Sequence, residues 1–286
     1  MSKVAWFLRR TVEIDGRFLR IPEVSLTNKV HFLGTKYRLL SRHLARAFLL
    51  GKDSAMVFGE RVFYNTRWGI FDYQRMLVTY GEWLREIELT PNAVVVDVGA
   101  NVGIFAKFIR QIFPRSHLFC FEPIPQTFEC LQRNFAGVEG VTLANVALGA
   151  TAGTAKMKFD PQNSIFSSIT ETGGVDVKTE TLDNVVRVLG IKQIDLLKID
   201  TEGHESLVLA GAHEALKLTR YLLIEVQIEA TAEATPNYTL TSLMAMLATE
   251  DYEFQSLFYR NFLDNSEGRM PSFDLLLKNI RWKAPT

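Results

Sequence analysis

The sequence predicts an α/β fold in which a mostly parallel sheet is covered by helices on both faces. Three observations predict it. From residue 93 onward, apolar strand-like runs alternate with amphipathic helix-like runs, the pattern of successive strand–helix–strand units. The first run, AVVVDV at 93–98, is a continuous β-branched stretch, as a strand buried on both faces requires. It leads straight into Gly99-Ala100-Asn101-Val102-Gly103, whose glycines suit a tight turn between strand and helix.

The elements follow in order. Residues 36–50 (KYRLLSRHLARAFLL) carry apolar residues at helical spacing. Residues 56–64 (MVFGERVFY) read as a short strand or hairpin, and 70–88 as an amphipathic helix. Thr90-Pro91-Asn92 then punctuates the chain. We set the domain boundary there: 1–90 is a mainly helical extension with a hairpin, and 91–286 is the main domain. After the first strand come an apolar-striped helix over 102–113, a strand HLFCFEP (117–123), a helix over 125–135 and a third strand VTLANVAL (141–148). GTAKMKF (153–159) and VDVKTETL (175–182) predict additional antiparallel strands. IDLLKID (194–200) is the next core strand, followed by a helix over 204–217, a strand RYLLIEVQ (220–227) and a helix over 239–249. YEFQSLFY (252–259) and DLLLKNI (274–280) close the sheet as a terminal antiparallel pair.

Composition bounds the function classes. The chain has 286 residues, 47% of them apolar and 22% charged, enough to bury a core without metal or disulfide staples. Cys120 and Cys130 lie in apolar or helical sequence and read as free buried thiols of a reducing compartment, which favours the cytoplasm. No apolar run approaches the ~18 residues that span a bilayer, and the patch Val4 to Leu8 is too short for a signal peptide. Net charge is zero but unevenly spread. Residues 1–52 carry 11 Lys/Arg against 3 Asp/Glu, and the remainder carries 21 against 29. A basic extension docked on its own acidic domain explains this better than a nucleic-acid partner. Trp6, Phe7, Phe18, Leu19, Phe32, Leu39, Leu40 and Phe48 interleave with the charges, and no nucleic-acid signature is present.

The turn after the first strand is a nucleotide-binding candidate, because a helix N-terminus there presents backbone N–H groups to a ligand. A dinucleotide site wants G-x-G-x-x-G. Counting from Gly99, the second and third glycine positions hold Asn101 and Ile104, so that pattern fails. Asp97 precedes the turn and Glu122 ends the next strand, 23 residues after Gly99. An acid before the turn suits the ammonium group of S-adenosylmethionine, and a carboxylate at Glu122 can accept both ribose hydroxyl protons. No G-x-x-x-x-G-K-[ST] occurs, which excludes a P-loop.

The segments VVVDVGANVG, FCFEP, NVALG, ETLD and LLKIDTEGHE, in that order and spacing, resemble the FkbM family of methyltransferases over about residues 90–280. The segment DVGANVG by itself indicates only a class I methyltransferase. The resemblance implies a Rossmann-like, mostly parallel seven-stranded sheet, S-adenosylmethionine as cofactor, and O-methylation of sugar, glycan, lipid-linked or polyketide hydroxyls. It further implies that Gly99, Asn101 and Gly103 line the methionine end of the cofactor, that Glu122 holds the ribose, and that Asn145 and Ala147 lie near the adenine. One departure from the family pattern is Asn92, where a glycine often precedes the first strand.

Transfer to an alcohol requires alignment and a group to take the hydroxyl proton. The acid-rich run Asp200-Thr201-Glu202-Gly203-His204-Glu205 follows a core strand, where this fold places its chemistry. Asp200 is the first catalytic candidate, and Glu202 and His204 are the next. His204 has the ordinary pKa best suited to a general base, and its bland reading is a helix-start residue facing solvent. Glu205 reads as an acid favouring the helix dipole, and Glu202-x-x-Glu205 as a capping arrangement. Glu225, after four apolar strand residues, lines the acceptor pocket or bonds a neighbouring backbone. The serine-rich loop 163–168, with Ser167 and Ser168, is an acceptor-side lid or a solvated loop. A divalent metal on Asp200, Glu202, His204 or Glu225 is the less favoured reading, because no spacing here is a metal signature.

Two readings of another class compete with a methyltransferase. A nicotinamide-dependent oxidoreductase is opposed by the glycine spacing. A non-catalytic partner protein on a nucleotide fold would bind the cofactor, if at all, without turnover. Residues 1–90 cover the acceptor pocket or mediate homo-oligomerisation. The Trp6/Phe7/Arg9/Arg10 patch has peripheral membrane contact, with a lipid-linked acceptor, as its alternative role.

Overall fold

The computed structural model describes residues 12–22, 25–30, 32–34, 54–57, 60–64, 84–159, 167–169, 174–228, 236–259 and 272–283. The expected helix over 36–50, most of that over 70–88, the Trp6/Phe7/Arg9/Arg10 patch and residues 163–166 lie outside them. Residues 12–19 and 26–30 are helical, and Leu84–Glu86 form a single 3-10 turn. In the region expected as a strand or hairpin, β1 (Ser54–Val57) pairs antiparallel with β2 (Glu60–Phe63).

The main domain then runs β3 (Val94–Val98), α1 (Ile104–Ile112), β4 (His117–Phe121), α2 (Pro125–Asn134), β5 (Val141–Ala144), β6 (Ala147–Leu148), β7 (Gly153–Phe159), β8 (Ser167–Ile169) and β9 (Val175–Glu180). It continues with α3 (Leu182–Leu189), β10 (Ile194–Ile199), α4 (Glu205–Ala210), α5 (His213–Leu218), β11 (Thr219–Gln227), α6 (Leu240–Ala248), β12 (Tyr252–Tyr259) and β13 (Ser272–Asn279).

Seven strands form the central sheet in the order β12-β13-β11-β10-β3-β4-β5. The five strands from β11 to β5 are parallel. β13 runs against its neighbours β11 and β12, so the antiparallel terminal pair expected from the sequence is present. A second sheet, β6-β9-β7-β8, branches off, and in it β7 is antiparallel to both β8 and β9.

The near-continuous apolar strands are explained by burial on both faces. Val95, Leu118, Leu196 and Leu223 face one cluster with Phe105, Phe108, Ile109 and Leu131. Val96, Leu197, Leu222 and Ile224 face the other with Val185, Val208, Leu216 and Leu243. Ile14, Phe18, Ile21 and Phe32 of the basic segment share the first cluster. Cys120 and Cys130 are buried free thiols.

Two sequence-derived elements are corrected. The strand over 141–148 splits, because the Asn145 side chain donates to the Glu122 and Pro123 carbonyls at 2.8 Å each. The chain turns there, and β6 leaves to pair with β9. The helix over 204–217 is two short helices. At Gly211, between them, an added Cβ would lie 2.1 Å from the Gly149 carbonyl oxygen. The Asp183 N–H also takes the Gly211 carbonyl, drawing the chain into a turn.

Candidate functional site

The strand order reverses at β3, with β4 and β5 on one side and β10 and β11 on the other. In open sheets of this kind the ligand crevice lies at the C-terminal strand ends where the order switches. Two turns border it: 99–103 after β3 and 200–204 after β10. They meet at backbone level. Gly99 has φ +79°, and a Cβ there would sit 1.9 Å from the Asp200 carbonyl oxygen. Only glycine fits both that conformation and that approach. Gly103, at φ +87°, owes its identity to a different contact, because its Cβ would strike Phe135 and Leu131 at 2.5 and 2.7 Å. It lets α1 begin against α2, and any ligand would meet its backbone.

Glu122 organises the first turn. It is 6% exposed, and its Oε2 accepts the Asn101 N–H at 3.0 Å while Oε1 accepts the Ile124 N–H at 2.8 Å. Burial pushes its carboxyl up to about 7, against the opposing pull of those two backbone donors. Asn101 adopts φ +51°, which asparagine tolerates, and its Oδ1 accepts the Val102 N–H at 2.7 Å. Ala147 is half-buried at the start of β6, against Ile124, Met157 and Val177.

Asp97 and Asp200 are joined by a residue that sequence reasoning passed over. Lys198 is 4% exposed in a strand whose residues are all buried. Its Nζ lies 3.2 Å from Asp97 Oδ1 and 3.2 Å from Asp200 Oδ2, and 5.4 Å from the centre of the Phe105 ring. Burial raises the Asp97 carboxyl above its ordinary range, with Lys198 opposing the rise. Among the described residues, Asp97 Oδ2 is buried without a hydrogen-bond partner. A lysine inside IDLLKID was the available signal, since a charge amid a buried strand is costly unless paired.

The second turn is held by Glu205, which is fully buried. Its Oε1 accepts from the Thr201 N–H, the Thr201 hydroxyl and the Gly203 N–H. Its Oε2 accepts from the Tyr238 hydroxyl at 2.8 Å, which itself accepts the Gln227 N–H at 3.0 Å. Burial, with the Glu205 charge second, pushes the Tyr238 phenol well up. The expected Glu202-x-x-Glu205 cap is therefore corrected: Glu205 alone closes the turn, and Glu202 points elsewhere. Glu202 sits at φ +53°, a left-handed conformation that strains a non-glycine residue, and its Oε2 accepts from Gln227 Nε2 at 2.9 Å.

His204 is the half-buried N-cap residue of α4. Its Nδ1 lies 3.3 Å from the Thr201 carbonyl. A carbonyl only accepts, so this contact assigns the proton to Nδ1 and leaves the Nε2 lone pair in the neutral ring. Asp200, Glu202 and Glu225 each offer a carboxylate oxygen within 4.8 Å of the others, so three of the candidates converge. Glu225 is 4% exposed on β11. Ser167 and Ser168 belong to β8, the outer strand of the second sheet, so part of the expected loop is strand.

Among the described residues, no helix is long and apolar enough to cross a membrane. A family model described as the methyltransferase FkbM domain matches residues 97–256, more than half of the chain. The 2-O-methyltransferase NoeI of Sinorhizobium fredii is 30% identical over 156 residues, covering 47% of this chain and 63% of that protein. The 31-O-demethyl-FK506 methyltransferase FkbM of Streptomyces tacrolimicus is 30% identical over 164 residues, covering 45% of this chain and 63% of that protein. The chain thus spans under two thirds of the length of either relative. The crystal structure of methyltransferase FkbM from Methylobacillus flagellatus superposes with a TM-score of 0.46 at 14% identity, covering 74% of this chain and 54% of that one.

Proposed function

The chain belongs to the FkbM methyltransferase domain family, and from that membership we propose that it transfers a methyl group from S-adenosylmethionine to a hydroxyl of a sugar, glycan, lipid-linked or natural-product acceptor. The observation that carries the donor half is Glu122: a buried carboxylate that fixes the glycine turn through Asn101 and ends the strand beside it. The residues present fit the donor. Asp97 Oδ2 is a buried acceptor without a partner among the described residues, which suits an ammonium group. Glu122 accepts from the ribose hydroxyls, and Gly99, Asn101 and Gly103 offer backbone to the methionine end. Asn145 and Ala147 border the adenine.

Bound S-adenosylmethionine supplies an electrophilic methyl group on a sulfonium. The protein's task is to align the acceptor and take its proton. Asp200 is the first candidate for that proton, with His204 Nε2 and Glu202 next. Glu225, Ser167 and Ser168 contribute the acceptor side, and residues 1–90 cover it. The names of the two relatives favour oxygen as the acceptor atom. The buried free thiols fit a reducing compartment, the cytoplasm.

Calorimetric titration with S-adenosylmethionine tests the donor half, with saturable one-site binding expected. No heat and no thermal stabilisation at high concentration would refute it, and stabilisation by NAD(H) instead would revive the oxidoreductase. Retention of full turnover in both Asp200→Ala and His204→Ala would move the base elsewhere.

A further inference from the structure

A lysine in the middle of a buried strand needs a reason. Lys198 stands among Leu196, Leu197 and Ile199, each fully buried. Stability does not supply the reason, since a buried ion pair is often replaced by apolar residues without loss. Its placement does. Lys198 pairs in register with Asp97 on β3 and lies two residues before Asp200 on its own strand. Its Nζ is 3.2 Å from a carboxylate oxygen of each. One acid borders the turn assigned to the donor, and the other is the first candidate for the acceptor's proton. Phe105, the second residue of the helix that follows the donor turn, closes over the same ammonium.

We propose that Lys198 is a positioning residue: its ammonium ties Asp97 to Asp200, fixing the donor-side acid relative to the acceptor-side acid. The inference rests on the donor reading above. The link holds Asp97 by Oδ1 and leaves Oδ2 to receive a ligand cation. It also offsets one unit of the negative charge gathered there, since Asp200 lies beside Glu202 and Glu225 as well. S-adenosylmethionine carries a single net positive charge. The demethylated product, S-adenosylhomocysteine, has lost the sulfonium charge and is neutral. Without the ammonium, the two acids repel each other and the crevice becomes more negative by one charge.

The experiment compares wild type, Lys198→Met and Lys198→Arg as full-length chains. Dissociation constants for S-adenosylmethionine and S-adenosylhomocysteine are measured by calorimetry at pH 8.5. The ratio of the two constants cancels the adenosine contacts and reports the charge at sulfur. Lys198→Met is expected to shift that ratio by roughly tenfold toward the charged donor. Lys198→Arg, which keeps the charge, is expected to restore it to within about threefold of wild type. A ratio unchanged in Lys198→Met overturns the assignment, because a purely structural lysine would weaken both ligands alike. A shift that arginine does not reverse also overturns it.

Should Lys198→Met not fold, isotope-labelled lysine side chains in the wild-type protein carry the test by NMR. The Lys198 signal, assigned by its loss in Lys198→Arg, is expected to move more with the donor than with the product, and equal movement overturns the proposal. If wild type binds neither ligand, the donor reading itself has failed. If wild type binds both and only the ratio test fails, the loss is confined to Lys198.

Discussion

Replacing Glu122 with alanine should change stability and donor binding with opposite dependence on pH. The Glu122 carboxyl is raised from 4.5 to about 7 in the folded chain. Between those values the folded state holds a proton that the unfolded state has released, so stability falls as pH rises through this window. The full drop, reached above pH 7, is about 3 kcal/mol at 1.36 kcal/mol per pKa unit. Removing the side chain also strands the Asn101 and Ile124 N–H groups, a cost of roughly 1–3 kcal/mol each. Glu122→Ala should therefore be clearly less stable than wild type at pH 5, with the gap closing by about 2.5 kcal/mol at pH 8. Urea denaturation at the two pH values measures it. Donor affinity should run the other way. The ionised carboxylate accepts two ribose protons, so wild-type affinity should rise as pH increases toward 7 and then level off. In Glu122→Ala it should be flat and weaker by about 10²–10⁴-fold, the loss of two bonds to a charged acceptor. A stability gap that is the same at both pH values would refute the burial argument. Wild-type affinity without pH dependence would refute the assignment of the ribose to this carboxylate.

Gly99→Ala should displace the turn after β10, because the new Cβ would overlap the Asp200 carbonyl at 1.9 Å. We expect a loss of roughly 2–4 kcal/mol in chemical denaturation, from strain at positive φ plus backbone displacement. Tyr238→Phe removes the hydroxyl that bridges Glu205 Oε2 and the Gln227 N–H. It should cost about 1–3 kcal/mol and should increase hydrogen exchange at Thr201 and Gly203, whose N–H groups Glu205 also holds. Asn134→Ala should release the hairpin. Asn134 exchanges two bonds with the Phe63 backbone, at 2.7 and 2.8 Å, so limited proteolysis should cut near residues 60–64 well before wild type. Thr181→Ala removes the N-cap acceptor of α3 and should cost about 1 kcal/mol in a thermal or denaturant melt.

The proposed donor half of the candidate site was legible because its parts are local in sequence. A strand, a glycine turn and an acid ending the next strand each leave a one-dimensional trace, and Asp97, Gly99 and Glu122 were found from it. Even there, the two glycines turned out to serve different contacts. Gly99 yields to Asp200 and Gly103 to Leu131 and Phe135, and those partners lie about 30 residues or more away in sequence. The acceptor half was legible only as a list of acids. Glu205 reads as an ordinary first-turn acid, yet it is the hub of the turn, because Tyr238 reaches it from 33 residues away. Lys198 was hidden for the opposite reason: an apolar run with one charge reads as strand, and pattern matching absorbs the exception. The breaks at Asn145 and Gly211 were missed because both depend on side-chain and backbone contacts across the fold.

Methyl transfer is in-line, so the two halves must keep a fixed separation. Three contacts of different kinds enforce it. The Gly99 position abuts the Asp200 carbonyl, the Asp200 N–H donates to the Val98 carbonyl at 3.0 Å, and Lys198 spans Asp97 and Asp200. Two are backbone contacts at adjacent strand ends, which side-chain substitution elsewhere leaves in place. A site built on strand ends holds geometry better than one built on loops. We expect acceptor specificity to come from the elements that border this frame. Glu225 arrives from β11, Ser167 and Ser168 from the edge of the second sheet, and the hairpin β1–β2 docks on α2 through Asn134 and through the Arg133 guanidinium over the Phe63 ring. Exchanging the outer elements of the second sheet between family members should change which acceptor is methylated, with a smaller change in donor affinity, since the backbone contacts between the two turns lie in the central sheet. A chimera that carries a relative's 150–174 segment, assayed by calorimetry for the donor and by methyl incorporation for the acceptor, separates the two properties. A parallel collapse of donor binding would show that the halves are not independent.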